Sequence, residues 1–105
     1  MRSAQLSIVV PTYKERGNVA ELVRRLDVAL SGIAWEAVFV DDNSPDGTAD
    51  AIKEIGQGDA RVRCLRRVGR RGLAGACIEG MLSSSAPYVA VIDADLQHDE
   101  KILPM

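Results

Sequence analysis

The chain has 105 residues, of which 47% are hydrophobic and 27% are charged, and its formal net charge is −2. The length suits one domain or part of one, and the composition is that of a soluble globular protein rather than a disordered segment. Because the net charge is small and negative, there is no overall bias towards polyanions, and no nucleic-acid partner is predicted.

Neither membrane insertion nor secretion is indicated by the sequence. The longest apolar runs, 8–10 and 89–92, are far shorter than the roughly 20 residues that a membrane helix needs. The two cysteines, Cys64 and Cys77, lack the spacing of zinc or redox motifs, and no secretory leader is present. We therefore expect reduced, buried cysteines and a cytoplasmic chain, which in a longer protein would lie at the cytoplasmic face of the membrane.

The first half of the chain reads as strand, helix, strand, helix. An apolar run predicts a strand over 6–10, which Pro11 is expected to end because proline cannot donate to a sheet ladder. Apolar residues at helical spacing then predict a helix that starts near Gly17 and stops at Gly32. A second strand over 37–40 enters a polar turn, after which Thr48 is expected to cap a short helix.

The second half repeats the alternation. A strand is predicted over 62–65, a helix with a glycine-rich entry over 72–82, and a fourth strand over 88–92. The order βαβαβαβ predicts an α/β fold with three layers, α/β/α, around a mainly parallel sheet. Right-handed crossovers place the carboxyl ends of all the strands along one edge, which is where open α/β sheets bind ligands.

Residues able to do chemistry follow three of these strands. Asp93-Ala94-Asp95 comes directly after the fourth strand, and Gln97 and His98 follow within a few residues. Carboxylate and amide oxygens suit Mg²⁺ or Mn²⁺, which commonly bridge protein carboxylates to substrate phosphates. The alternative is that Asp93 caps the following turn while Asp95 is simply exposed; the position at a strand end favours the cation site.

A second acidic point, Asp41-Asp42, follows the second strand. A carboxylate there can accept a hydrogen bond from the ring N–H of a base, whereas the alternative is a turn in which the acids bond their own backbone. We expect both roles, divided between the two acids and the turn. In the first loop, Tyr13 is suited to stack on a base and Glu15 to accept from a ribose hydroxyl, although a loop tyrosine alone is weak evidence.

Six arginines fall between Arg61 and Arg71. They form either a solvated face or a surface for phosphates or anionic lipid head groups, and charge alone leaves both open. The glycine-rich segment 69–76 matches neither a dinucleotide-binding nor a Walker motif.

Four segments in order, 7–15, 40–48, 72–76 and 93–98, together resemble family 2 glycosyltransferases. Within that family the resemblance is to the polyprenyl-phosphate branch, typified by dolichol-phosphate mannose synthase, and it covers nearly the whole chain. It implies a GT-A fold, a GDP- or UDP-linked nucleotide sugar as donor, and Mg²⁺ or Mn²⁺ on its diphosphate. The reaction implied is inverting transfer to a polyprenyl phosphate.

The resemblance also implies which residues form the site. Carried over by position, the metal would be bound by Asp93, Asp95 and Gln97. The nucleotide sugar would be bound by eight residues: Pro11, Tyr13, Glu15, Val40, Asp42, Asp93, Ala94 and Asp95. The family usually has asparagine where this chain has Lys14, which adds a positive charge beside the nucleotide pocket.

In the family the acceptor-side residues lie beyond the position of Met105, so catalytic residues are not predicted here. We expect residues 1–105 to be the nucleotide-sugar-binding N-terminal part of a glycosyltransferase domain. By itself this part is expected to bind nucleotide weakly, to transfer little or no sugar, and to expose apolar surface through which copies can self-associate.

Two other functions fit part of the pattern. In an aspartate-dependent phosphotransferase Asp93 would be the nucleophile, but such enzymes place the motif after the first strand rather than the fourth. In a non-enzymatic metal-binding α/β module the acids would hold a regulatory cation, and segments 11–13 and 44–48 would serve only as turns.

Overall fold

The structure, a computed structural model, describes residues 4–67, 73–82 and 84–92. Strands and helices alternate through these residues, which confirms the predicted order of elements and the mainly parallel sheet. The strands are β1 (Leu6–Thr12), β2 (Trp35–Asp41), β3 (Val62–Arg66) and β4 (Tyr88–Val91). The helices are α1 (Val19–Ala29), α2 (Thr48–Gly58) and α3 (Leu73–Leu82).

The described strands form one parallel sheet in the order β3-β2-β1-β4. β1 and β2 run together over their full lengths, from Leu6 opposite Trp35 to Thr12 opposite Asp41. β3 pairs with the second half of β2, and β4 pairs with the first half of β1. Because all four strands are parallel, their carboxyl ends point to the same edge of the sheet.

The two faces of the sheet bury different sets of residues. One face carries the main core, in which side chains of β1 and β2 such as Ile8 and Phe39 pack with Leu22 and Leu26 of α1 and Ile52 of α2. The opposite face carries a smaller cluster of residues on β1, β2 and β3: Val9, Val38, Val40 and Leu65. Helix α3 lies against this second face, so the predicted three layers are confirmed.

The prediction that Pro11 ends the first strand is wrong, since β1 continues through it to Thr12. Alternate residues of β1 bond to different neighbours: the carbonyl of Val9 accepts from Ile92, the residue after β4, and that of Thr12 accepts from the residue after β2. The nitrogen of Pro11 therefore faces the β4 side rather than β2. Its missing N–H leaves the pairing of β1 with β2 intact, and that pairing continues to Thr12 opposite Asp41.

The prediction that Thr48 caps α2 is also wrong. Gly47 is the N-cap residue, with a left-handed φ of 86°, and Thr48 is the first residue of the helix. The Thr48 hydroxyl instead accepts a hydrogen bond from the backbone N–H of Glu15. Thr48 therefore connects α2 to the first loop.

Large apolar side chains are exposed on α3 and β4, where Leu82 is 80% exposed, Tyr88 72% and Ile78 53%. This agrees with the expected apolar surface, while self-association through it stays a prediction. No helix within the described ranges is long and apolar enough to cross a membrane. Cys64 is a half-buried free thiol, and burial raises its pKa to about 11, so it is protonated at neutral pH.

Candidate functional site

The loops after β1 and β2 are joined at the carboxyl edge of the sheet. The Thr12 hydroxyl donates to Asp41 Oδ1 at 2.8 Å, and the backbone N–H of Asp42 donates to the Thr12 carbonyl at 3.1 Å. Tyr13 follows Thr12 directly in the chain. The predicted base-stacking residue and the predicted base-binding acid are therefore held beside each other.

Asp41 is the acid of the pair that builds the turn. It is fully buried, and its Oδ1 accepts from the Ser44 hydroxyl at 2.6 Å as well as from Thr12. Its Oδ2 accepts from the Ser44 backbone N–H at 2.9 Å, so the side chain of Asp41 closes the turn over residues 41–44. With both oxygens engaged inside the protein, Asp41 organises the loop, and Asp42 is the acid placed nearer the surface.

Two further bonds fasten the first loop to the second. The backbone N–H of Lys14 donates to the Ser44 hydroxyl at 2.8 Å, and that of Glu15 donates to Thr48 Oγ1 at 3.1 Å. Lys14 is in the left-handed region, with φ 57°. This conformation turns the backbone N–H groups of the first loop towards the turn between β2 and α2. The two loops are therefore held together by hydrogen bonds as well as by packing.

The predicted nucleoside-binding residues of the first loop lie around this junction. Tyr13 is 38% exposed, and the Lys14 ammonium lies 5.5 Å from the centroid of its ring. Glu15 is half-buried, and its carboxylate accepts from the Asn18 side chain at 2.9 Å. Tyr13 thus presents an accessible aromatic surface, whereas Glu15 is also tied to the start of α1.

Pro11 and Val40 lie deeper, directly opposite each other on β1 and β2. Pro11 is half-buried, while Val40 is fully buried in the cluster with Val9 and Val38. The Val40 side chain faces protein, so its backbone is the part that lies along the edge of the sheet.

Asp42 is accompanied by a buried arginine that the sequence did not single out. Arg67 Nη1 lies 3.4 Å from Asp42 Oδ1, and the exposed fractions of the two side chains are 6% and 13%. The backbone N–H of Arg67 donates to the Asp41 carbonyl at 2.8 Å, which pins the residue to the end of β2. The cluster of arginines was the one sequence signal here, and it does not distinguish Arg67 from its neighbours.

The described arginines of the cluster do not act together as one cationic surface. Arg61 stacks over Trp35 and pairs with Asp59 and Asp27. Arg63 pairs with Glu36 at 3.0 Å. Arg66 donates twice to the Asn43 side chain, and Arg67 pairs with Asp42. Each of the four therefore has an individual contact, while Arg70 and Arg71 lie outside the described residues.

The end of β4 leads to the predicted metal site. Ile92 is buried, and its backbone N–H donates to the Val9 carbonyl at 3.1 Å, so the chain still lies beside β1 one residue before Asp93. The predicted residues Asp93, Ala94, Asp95 and Gln97 lie outside the described residues, and their roles stay predictions. Within the described part, no group of three or more histidine, cysteine or acidic side chains is placed to hold a metal.

Known proteins are similar in sequence to this chain over nearly its whole length. A dolichol-phosphate mannosyltransferase of Pyrococcus furiosus is 41% identical over 100 residues, covering 95% of this chain and 28% of the relative. A dolichol-phosphate mannosyltransferase of Saccharomyces cerevisiae is 34% identical over 105 residues, covering 97% of this chain and 39% of the relative. The chain thus spans less than half the length of either relative.

Two solved structures share the fold. A mannosyltransferase of Pyrobaculum calidifontis in complex with GDP-Man and Mn²⁺ superposes with a TM-score of 0.73 at 24% identity, over 90% of this chain and 28% of that one. TarS of S. aureus in complex with UDP-GlcNAc superposes with a TM-score of 0.65 at 21% identity, over 87% and 26%. The fold is therefore that of GT-A nucleotide-sugar transferases. The sequence pattern of Glycosyl transferase family 2 matches residues 7–105, and the chain belongs to that family.

Proposed function

We propose that residues 1–105 are the nucleotide-sugar-binding part of an inverting glycosyltransferase that transfers a sugar to a polyprenyl phosphate at the cytoplasmic face of a membrane. Membership of family 2 supports sugar transfer from a nucleotide-linked donor. Two relatives that cover nearly the whole chain are dolichol-phosphate mannosyltransferases, which supports a polyprenyl phosphate as the acceptor. One structural neighbour is a GDP-Man complex and the other a UDP-GlcNAc complex; because the two relatives are mannosyltransferases, as the GDP-Man neighbour is, we propose a GDP-linked donor.

The observation that carries the proposal is the joining of the β1 and β2 loops. The bond from the Asp42 N–H to the Thr12 carbonyl puts Tyr13 and Asp42 side by side on the edge where β4 also ends. An aromatic ring supplies a stacking surface for a base, and a carboxylate accepts from the ring N–H of that base. The two side chains together recognise the base by its face and by its edge.

A divalent cation fits the residues that follow β4. Asp93, Asp95 and Gln97 offer hard oxygen donors, the type that both Mg²⁺ and Mn²⁺ prefer, and we propose that they hold the ion. When bound, the ion would stabilise the negative charge of the departing nucleoside diphosphate. A phosphate acceptor is already anionic at neutral pH, so this reaction needs less help from a general base than transfer to a hydroxyl does.

The proposal is tested by calorimetric titration of the chain with GDP and with UDP, each with and without Mn²⁺ or Mg²⁺. We expect GDP to bind more tightly than UDP and to require the metal. Replacing Tyr13 with alanine should weaken GDP binding about tenfold, since stacking on one base is worth roughly 1–3 kcal/mol. Binding of Mn²⁺ with no response to either nucleotide would contradict the proposal and favour a cation-binding module.

A matched control comes from the second tyrosine of the chain. Tyr88 is 72% exposed but lies at the start of β4, opposite Leu6, at the end of the sheet away from the site. Tyr88→Ala should leave GDP affinity unchanged. Equal losses in Tyr13→Ala and Tyr88→Ala would show that the effect is not local to the proposed nucleotide site.

A further inference from the structure

Arg67 is a buried cation at the edge of the proposed nucleotide site, and the proposed function assigns it no role. Its side chain is 6% exposed and its Nη1 lies 3.4 Å from Asp42 Oδ1. Its backbone is held by the hydrogen bond to the Asp41 carbonyl. The guanidinium therefore contacts the acid of the pair that the turn does not use.

The space for this guanidinium is provided by a glycine on α3. A Cβ atom at Gly75 would lie 2.9 Å from Arg67 Nη2, 3.4 Å from Nη1 and 3.5 Å from Cζ. The 2.9 Å distance to Nη2 is too short for a Cβ contact, so a side chain at position 75 would make the flexible end of Arg67 shift, whereas the other two distances are close to ordinary van der Waals contact. Glycine is unfavourable inside a helix, so its presence at this contact preserves room for Arg67.

We propose that Arg67 is a positioning residue for nucleotide recognition: it fixes the carboxylate of Asp42, and Gly75 of α3 keeps its guanidinium in place. This inference rests on the proposed function. Arg67 contacts Asp42, and in this inference it acts on nucleotide binding through that acid. The chain of contacts runs from α3 through Gly75 and Arg67 to Asp42 at the rim.

One physical effect follows from the placement. A carboxylate turns freely about its last bond in water, whereas the buried guanidinium, an ion-pair partner 3.4 Å from Asp42 Oδ1 rather than a hydrogen-bond donor to it, restricts that rotation. A base N–H then meets an acceptor whose orientation is already limited. A lysine would keep the charge but lose the planar fork that Gly75 accommodates.

The test is a double-mutant cycle on GDP affinity, measured by calorimetry with Mn²⁺ present. Arg67→Met and Asp42→Asn should each weaken binding about tenfold, the size of effect typical of residues that orient a ligand-binding group. The double variant should bind no more weakly than Asp42→Asn alone, because Arg67 acts through Asp42. Additive losses in the double variant, or unchanged affinity in Arg67→Met, would overturn the inference.

Gly75→Ala provides a second route that leaves every charged group in the chain. It should weaken GDP binding to a similar degree, while Arg66→Met should not, since Arg66 is exposed and donates to the Asn43 side chain instead of contacting Asp42. If Arg67→Met does not unfold cooperatively, the GDP affinities of Gly75→Ala and Arg67→Lys are used in its place. Full GDP affinity in both of these variants would overturn the inference.

The wild-type titration separates this inference from the proposed function. Absence of GDP binding by the wild-type chain would overturn the nucleotide site and this inference with it. Wild-type binding that is indifferent to Arg67 and Gly75 would overturn the inference alone and leave the nucleotide site standing.

Discussion

Lys14 carries a backbone conformation that its residue type does not favour. Its φ of 57° lies in the left-handed region, where a Cβ atom crowds the following carbonyl oxygen and costs about 1–2 kcal/mol for most residues. Asparagine enters this region more readily, and Asn43 does so in the neighbouring loop with φ 56°. The conformation at position 14 persists because the Ser44 hydroxyl accepts from the Lys14 backbone N–H.

We therefore expect Lys14→Asn to be more stable than Lys14→Gln by about 1 kcal/mol in the free energy of unfolding. Both changes remove the ammonium group above the Tyr13 ring, so the comparison cancels the loss of that exposed contact, itself worth about 0.5–1 kcal/mol. Urea denaturation of the two variants measures the difference. Equal midpoints would mean that the left-handed conformation costs lysine nothing here.

The sequence could not separate the roles of the two adjacent acids of the site. Asp41 and Asp42 are adjacent and identical in type, yet strand alternation sends Asp41 into the polar network with Thr12 and Ser44 and Asp42 to the face shared with Arg67. The turn role is confirmed for Asp41, base recognition by Asp42 stays a prediction, and assigning the turn to one of the two acids needed the register at the end of β2. Arg67 was missed because nothing in the sequence distinguishes a buried arginine from an exposed one.

Among the elements, α3 packs directly against the sheet at Gly80, which leaves no room there for a side chain. A Cβ atom there would lie 3.1 Å from Val40 Cγ2 and still closer to the Val9 side chain. The helix therefore rests directly on the residues of the second face of the sheet. Val40 is followed directly by Asp41 and Asp42. How closely α3 packs on the sheet therefore also affects where these two acids lie.

Gly80→Ala should destabilise the chain by about 1–3 kcal/mol, the usual cost of forcing extra atoms into a packed core. Helix propensity acts in the opposite direction, since alanine is better than glycine inside a helix by about 0.8–1 kcal/mol, so the clash must outweigh it. Gly58→Ala is the matched control, because that helical glycine has no atom within 4 Å of an added Cβ. It should leave stability unchanged or slightly raised, and thermal unfolding of both variants makes the comparison.

A loss of stability in Gly58→Ala equal to that in Gly80→Ala would contradict the packing argument. A third variant, Gly80→Ser, adds a side chain of similar size with poorer helix propensity. It should be less stable than Gly80→Ala if both the clash and the propensity contribute.

Element order was predictable from sequence because each element carries its own periodicity. The boundaries were less predictable: β1 runs through Pro11 because the proline nitrogen faces β4 and the pairing with β2 continues, a fact that no local pattern contains. The same holds for Thr48, whose hydroxyl serves the first loop rather than the start of α2. The spatial order β3-β2-β1-β4 depends on whether each crossover places the next strand on one side of the previous strand or on the other. The alternation of apolar runs in the sequence is the same in both cases, so it does not predict this order.

For the molecule as a whole, ion pairs link elements that are distant along the chain. Arg61, at the start of β3, stacks 4.3 Å from the centroid of a Trp35 ring on β2, and its guanidinium reaches Asp27 of α1 and Asp59 at 2.8 Å. Hydrogen bonds from Arg61 hold the pKa of Asp59 below its ordinary value. On α1, hydrogen bonds from Arg24 and Arg25 lower the pKa of Glu21 to about 2.

These lowered pKa values predict that acid weakens the fold. A carboxyl group whose pKa is lower in the folded state stabilises the folded state at pH values above its pKa in the unfolded state. This contribution is lost as the pH falls towards its pKa in the folded state. For Glu21 the loss should therefore occur between about pH 4.5 and about pH 2. Glu21→Gln and Asp59→Asn should each be less stable than the wild type at neutral pH, and the deficit should shrink on acidification because the wild type is protonated there as well.

Urea denaturation at neutral pH and near pH 2 measures the deficit of each variant. The Glu21 side chain is 37% exposed and that of Asp59 24%, so added salt at about 1 M should reduce the deficit of Glu21→Gln at neutral pH by screening more than it reduces the deficit of Asp59→Asn. A deficit that stays constant across the pH range would assign the effect of the substitution to packing rather than to charge. The acid dependence of this fold would then have to come from other carboxylates, and the link that Arg61 makes between α1, β2 and β3 would be steric rather than electrostatic.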